Sequence, residues 1–303
     1  MNKAGLLDIE SLERPEIESI LARARYFQPP ENETYRRLDS LRGKMIVNLF
    51  FEASTRTRVS FEIAARRLGA ETISIAAQGS SVSKGESLVD TLNTLVAMRP
   101  NAIVMRHAAS GAPHFLARHL HIPIVNAGDG THEHPTQALL DALTILDRRQ
   151  SLEGLRVAII GDIAHSRVAR SNVHLLSRFG ADIVLCGPPS LLPRELEHLA
   201  PGVRLTYDLP EAIRNADVIM MLRVQLERQH EAPMAASEYF RFYGLRLDHL
   251  DLANPDVIVM HPGPINRGRE LSSEVADSQR SVILNQVENG VAVRMAVLER
   301  IFQ

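Results

Sequence analysis

Short aliphatic and β-branched runs alternate with segments of helical period along most of this chain. The runs are "KMIVNLF", "ETISIA", "NAIVMRH" and "IPIVNA", followed after residue 150 by "LRVAIIGD", "ADIVLCG", "VRLTYD", "ADVIMML" and "DVIVMHP". Most are apolar throughout, as strands buried on both faces are, and helix-length separations between them imply βαβ units with parallel sheets. Three longer stretches carry an amphipathic helical pattern: "IESLERPEIESILARARYF", "HPTQALLDALTILDRR" and "SVILNQVENGVAVRMAVLERIF". The polar segment "DRRQSLEGLR", Asp147 to Arg156, follows the second of them and marks a boundary between residues 1–148 and residues 149–279. The pattern therefore predicts an α/β protein of two domains, each a mainly parallel sheet flanked by helices, with the helix before the boundary bridging them.

Composition narrows the function classes. The chain has 303 residues, 45% hydrophobic and 23% charged, enough for two full cores and unlike a disordered or fibrous protein. A net charge of −2 gives no case for bulk attraction to nucleic acid or a membrane surface, and no apolar run approaches membrane-spanning length. One cysteine, Cys186, excludes an internal disulfide and fits a reducing cytoplasm. Only three of the 34 basic residues are lysines, and one of these, Lys84, lies in the polar loop sequence "GSSVSKGESL", where a solvated lysine is the simplest reading.

Ligands of open parallel sheets bind beyond the carboxyl ends of the strands, so the polar residues that follow the apolar runs carry the chemistry. After "KMIVNLF" comes "FEASTRTR", where Ser54, Thr55, Arg56 and Thr57 open a helical pattern. Helix starts bear unpaired N–H groups and partial positive charge, and hydroxyls with a guanidinium add donors suited to a phosphate. Alone, such a cluster reads equally as a capped, solvated helix start. Arg106, Arg167 and Arg223 each close or follow a strand run, either as surface arginines or as partners of a ligand with several anionic groups. His134 and Gln137 share a helix face, placed to hold a carbonyl oxygen and an amide or simply exposed. "HEHPTQ" lacks the H-E-x-x-H spacing of a helix-borne zinc site, so no metal is expected there. Neither G-x-G-x-x-G nor G-x-x-x-x-G-K-[ST] is present, nor is G-x-S-x-G, so dinucleotide, nucleoside triphosphate and serine-hydrolase chemistry have no support and no cofactor is expected.

"STRTR", "HPTQALLD", "RVQLER" and "HPGP", in that order over nearly the whole chain, resemble the signature blocks of the aspartate/ornithine carbamoyltransferase family, most closely its aspartate branch. The ornithine branch usually shows "HPCQ" and an "SMG" segment, both absent here. The resemblance implies transfer of the carbamoyl group of carbamoyl phosphate to the amine of L-aspartate, in de novo pyrimidine biosynthesis. It makes residues 1–148, completed by a C-terminal helix over 280–303, the carbamoyl-phosphate domain and residues 149–279 the aspartate domain. Ser54, Thr55, Arg56, Thr57 and Arg106 would hold the phosphate. Thr57, Arg106 and His134 would surround the carbonyl oxygen, and Gln137 with the carbonyls of Pro262 and Gly263 the carbamoyl amide. Arg167, Arg223 and Gln225, with Gly263 and Pro264, match positions that bind aspartate. Ser80 and Lys84 match a loop that reaches into the neighbouring subunit's site in a homotrimer, Lys84 contacting both substrates. The catalytic set implied is Arg56, Thr57, Lys84, Arg106 and His134.

Gly263 stands where some members have leucine, and "GDIAHSRVARS" differs in wording from some members while Arg167 keeps its offset. The nearest alternatives are an ornithine-type carbamoyltransferase and a catalytically silent scaffold homologue. Dihydroorotase or a separate regulatory chain is a possible partner by resemblance; nucleic acid and membrane are not.

Overall fold

The computed structural model describes residues 5–30, 33–76, 87–224 and 234–303. Ser80, Lys84 and Gln225 lie outside the described residues. The chain divides into two compact units, Met1–Leu140 with Glu288–Gln303, and Asp141–Val287.

In the first unit the strands are β1 (Met45–Phe50), β2 (Glu71–Ala76), β3 (Ala102–His107) and β4 (Ile124–Asp129). They form a wholly parallel sheet in the order β2-β1-β3-β4. β4 is buried along its whole length and β1 beyond its first residue, whereas β2, at the opposite edge from β4, is exposed at four of its six positions. Burial on both faces explains why the central strands β1 and β3 are largely apolar, with Asn48 the one polar residue inside β1. Val47, Leu49, Ile103, Met105 and Ile124 pack against Leu92 and Leu116 from the helices α3 (Leu88–Ala97) and α4 (Ala112–His119).

Two further helices of this unit begin where the sequence chemistry dictates. The first, α1 (Arg14–Phe27), starts later than its apolar pattern because Pro15 occupies its opening turn and Glu13 closes a capping box with Glu16. α2 (Thr55–Arg67) follows β1 directly, with Ser54 extended at its N-cap.

The second unit holds β5 (Arg156–Ile160), β6 (Asp182–Cys186), β7 (Arg204–Thr206), β8 (Val218–Met221) and β9 (Ile258–Met260), all parallel, in the order β7-β6-β5-β8-β9. Ala158, Ile160, Ile219, Met221 and Val259 build its core with Ala212, Tyr239 and Leu250. The division between units falls within the continuous helices α5 (Pro135–Arg148) and α10 (Ile283–Arg300), the fifth and last α-helices among the described residues. Between them come α6 (Arg167–Arg178), α7 (Leu209–Ile213), α8 (Ala236–Tyr243) and α9 (Ser273–Ala276).

Each sheet reverses its winding once. In the first unit the chain runs outward from β1 to β2 and then crosses to β3, so the switch lies between β1 and β3; in the second it lies between β5 and β8. The crevices at these two points are where an open parallel sheet binds ligands.

Candidate active site

The carboxyl edge of the first sheet gathers every described candidate residue of that unit. Phe50, the last residue of β1, is in register with Arg106 of β3, and the Phe51 N–H donates to the Arg106 carbonyl at 2.9 Å. The segment Glu52–Thr55 therefore leaves the sheet beside Arg106, at the switch point. Ser54 caps α2 through its carbonyl, which accepts from the Arg58 N–H at 3.2 Å, while its side chain makes no capping hydrogen bond. Thr57, in the first turn, is buried, and Thr55 and Arg56 are exposed. The amides and partial positive charge of a thirteen-residue helix thus face the same edge as the Arg106 guanidinium.

Arg106 is held in place. Its Nη2 donates to Glu52 Oε1 at 2.9 Å and its Nη1 to the Ala127 carbonyl at 3.2 Å. Glu52 lies inside "FEASTRTR", but its contact with Arg106 depends on the pairing of β1 with β3, which local pattern does not reveal. Burial holds the pKa of the adjacent His107 below its ordinary 6.5, and His107 Nδ1 accepts the Ala109 N–H at 2.9 Å, as a neutral ring does.

The turn from β4 to α5 carries His134. Asp129, fully buried, accepts from Asn126 Nδ2 at 2.7 Å, from the Gly111 N–H at 2.6 Å and from the Glu133 N–H at 3.2 Å. The Glu133 carboxylate accepts the N–H groups of Ile9 and Glu10 at 2.9 and 3.1 Å. Gly130, at φ +45°, cannot be replaced without strain, because a Cβ there would stand 2.3 Å from Ser110 Oγ and 2.5 Å from the Ser110 nitrogen. His134 then opens α5: its carbonyl accepts the Gln137 N–H at 2.9 Å, and both side chains are buried.

The second unit repeats the arrangement. Arg167 is the first residue of α6, buried, behind the N-cap Ser166, whose hydroxyl accepts the Ala169 N–H at 3.1 Å. Arg223 lies two residues beyond β8, and the Leu222 N–H donates to Ile160 of β5 at 2.8 Å. Both arginines thus stand at the β5/β8 switch. Pro262, Gly263 and Pro264 follow β9, next in the sheet, with a cis bond between Gly263 and Pro264. That turn is anchored by residues the sequence reading did not single out. The Gly263 N–H donates to His261 Nδ1 at 2.8 Å, the His261 N–H to Gln286 Oε1 at 2.9 Å, and Gln286 Nε2 to the buried Asp141 at 2.7 Å.

Comparison with known proteins bears on these two switch-point clusters. Residues 5–147 match the family model described as aspartate/ornithine carbamoyltransferase, carbamoyl-P binding domain, and residues 153–301 match the model of the Asp/Orn binding domain. The chain belongs to the aspartate/ornithine carbamoyltransferase family. Among carbamoyltransferase relatives, the aspartate carbamoyltransferase catalytic subunit of Solibacter usitatus is 80% identical over 298 residues, covering 98% of this chain and 99% of that protein. An aspartate transcarbamoylase of Trypanosoma cruzi, solved with carbamoyl phosphate and aspartate, superposes with a TM-score of 0.88 at 33% identity, covering 98% of this chain and 96% of that one. The ornithine carbamoyltransferase of Pyrococcus furiosus gives 0.86 at 30% identity, covering 98% of this chain and 96% of that one, so backbone shape does not separate the two carbamoyltransferase branches. No helix among the described residues is long and apolar enough to cross a membrane.

Proposed function

We propose that this chain is a catalytic subunit that transfers the carbamoyl group of carbamoyl phosphate to L-aspartate, giving N-carbamoyl-L-aspartate and phosphate. The observation that carries the reading is the register of β1 with β3, which sets the α2 start and Arg106 at one switch point. The choice of aspartate rests on the 80% identity to an aspartate carbamoyltransferase catalytic subunit and on the "HPTQ" and "RVQLER" wording.

In the proposed mechanism Ser54, Thr55, Arg56 and Thr57 hold the phosphate through hydroxyls, first-turn amides and a planar guanidinium. Arg106, fixed by Glu52, reaches from the phosphate to the carbonyl oxygen, and Thr57 and His134 complete the donor set around that oxygen. Gln137 and the carbonyls of Pro262 and Gly263 hold the carbamoyl NH2. Arg167 and Arg223, with Gln225, Gly263 and Pro264, take aspartate. The neutral α-amine attacks the carbonyl carbon, forming a C–N bond and a tetrahedral oxyanion. The C–O bond to phosphate then breaks, and phosphate leaves with the amine proton. Positioning two anions and preorganising donors at the oxyanion supply the rate, with no covalent enzyme intermediate.

The proposal includes a cytoplasmic homotrimer whose sites are completed by Ser80 and Lys84 of a neighbouring subunit. Lys84→Ala and Arg56→Ala trimers, each nearly inactive, should regain about a quarter of wild-type sites when dissociated, mixed equally and reassembled. A mixture as inactive as its parents, beside a wild-type control that recovers, would reject the shared site. The chemistry itself is tested by calorimetry with N-(phosphonacetyl)-L-aspartate, which joins a phosphonate to aspartate. Tight binding lost in both Arg56→Ala and Arg167→Ala supports the reading; binding indifferent to either substitution overturns it.

A further inference from the structure

Within the first unit, a second group of side chains converges on the carboxyl end of β4. One nitrogen each from His114 on α4 and His132 in the turn, with a carboxylate oxygen of Asp129, all lie within 4.8 Å of one another. The imidazole rings meet edge to face with centroids 5.3 Å apart. His132 Nδ1 stands 3.1 and 3.2 Å from the two Asp129 oxygens. His114 Nε2 is 2.6 Å from Asp8, whose other oxygen accepts the Ser11 N–H at 2.6 Å. With a carboxylate at that distance, the tautomer that carries its proton on Nε2 leaves the lone pair on Nδ1. That Nδ1 is buried and has no hydrogen-bond partner among the described residues. A buried acceptor without a donor is costly unless something else fills the place.

We propose that His114, His132 and Asp129 form a binding site for a divalent cation of the zinc class, with His114 Nδ1 as one ligand and Asp8 as the group that orients its ring. Two imidazoles and one carboxylate, with water completing the shell, suit Zn2+ and its neighbours, whereas Mg2+ and Ca2+ prefer oxygen alone. The Asp8–His114 pair has the form of the carboxylate–histidine–metal relay, and the N–H donors around Asp129 fix the third ligand. His114 and His132 are 29% and 32% exposed, which leaves a way in from solvent, while Asp129 is fully buried beneath them. Asp129 begins the turn that ends at His134, so an ion here braces the segment that positions that residue.

The test uses the full-length protein, stripped with a chelator and titrated with Zn2+ alone by calorimetry, with Co2+ as a spectroscopic probe. We expect one ion per chain at micromolar affinity or tighter and a rise in melting temperature on loading. Asp8→Asn should weaken binding about 10–100-fold, the usual loss of an orienting partner, and His114→Gln or His132→Gln by more. Asp129 is left intact because it also holds backbone amides. His119→Gln, an exposed histidine on the same helix, should bind as the parent does. No Zn2+ above a tenth of an equivalent in the parent overturns the proposal, as does a folded His114→Gln/His132→Gln double variant that binds with parental affinity. Because the parent alone answers whether the ion binds, an unfolded variant does not shield the proposal.

Discussion

Removal of the Arg106 side chain separates its structural role from its proposed chemical one. The side chain is 11% exposed and donates to Glu52 and to the Ala127 carbonyl. Arg106→Ala loses both bonds and leaves Glu52, itself 25% exposed, without this cation. One charge-assisted and one ordinary bond at a partly buried place are worth about 2 kcal/mol, or roughly 4–8 °C in melting temperature for a unit of this size. Loss of a donor to a developing oxyanion costs about 100- to 1,000-fold in kcat, which is 2.7 to about 4 kcal/mol. Lysine keeps the charge but not the planar fork, and so should recover little. The assay is carbamoyl-aspartate formation at saturating substrates, well below the melting temperature of each variant, with melts recorded in parallel. A variant that melts lower yet turns over within threefold of the parent would show that Arg106 only ties β1 to β4, and would refute its place at the reacting carbonyl.

Other outcomes follow from the same packing. Asn126 is fully buried and makes three hydrogen bonds, to the Leu7 carbonyl at 2.8 Å, Asp129 at 2.7 Å and the Gly128 N–H at 2.8 Å, so Asn126→Ala should lower stability by about 3–5 kcal/mol in urea unfolding. A loss under 1 kcal/mol would contradict that network. Burial, and then the charge of Arg246, lower the pKa of His249. The unfolded chain then binds that proton more readily, so the stability His249 contributes is full above its ordinary 6.5 and is lost as pH falls through the lowered value. His249→Asn should therefore flatten the fall in melting temperature between about pH 7.5 and pH 5.5, and an unchanged slope would count against it. Burial, aided by Asp208 and Glu211, pushes the Cys186 thiol up to about 12, so iodoacetamide at pH 8 should modify it at least about 100-fold more slowly in the native protein than in urea. Native reaction at the unfolded rate would mean that the thiol is accessible.

The parallel sheets were legible because strands covered on both faces carry apolar side chains at nearly every position. β1 and β5 are cases of this, and even the edge strand β2 is found where "ETISIA" puts it. Arg106, Arg167 and Arg223 were legible as site candidates because each closes or follows an apolar run, and strand ends are where such folds place chemistry. What local pattern does not carry is the partner across the sheet. Glu52 acquires its role only once β1 is in register with β3, 54 residues on. The anchors of the proline turn are also out of local reach, Gln286 meeting His261 across 25 positions and Asp141 across 145. A search for helix spacing could not join His114 to His132 either, since one comes from α4 and the other from the turn after β4.

The central claim is tested most directly by steady-state product formation from carbamoyl phosphate with L-aspartate or L-ornithine as the acceptor amine, using the purified chain alone. N-carbamoyl-L-aspartate and stoichiometric phosphate are expected with aspartate, with a rate reduced at least about 100-fold in Arg56→Ala and no citrulline above background with ornithine. Citrulline as the main product, or no transfer to either amine by the folded protein, would contradict that claim.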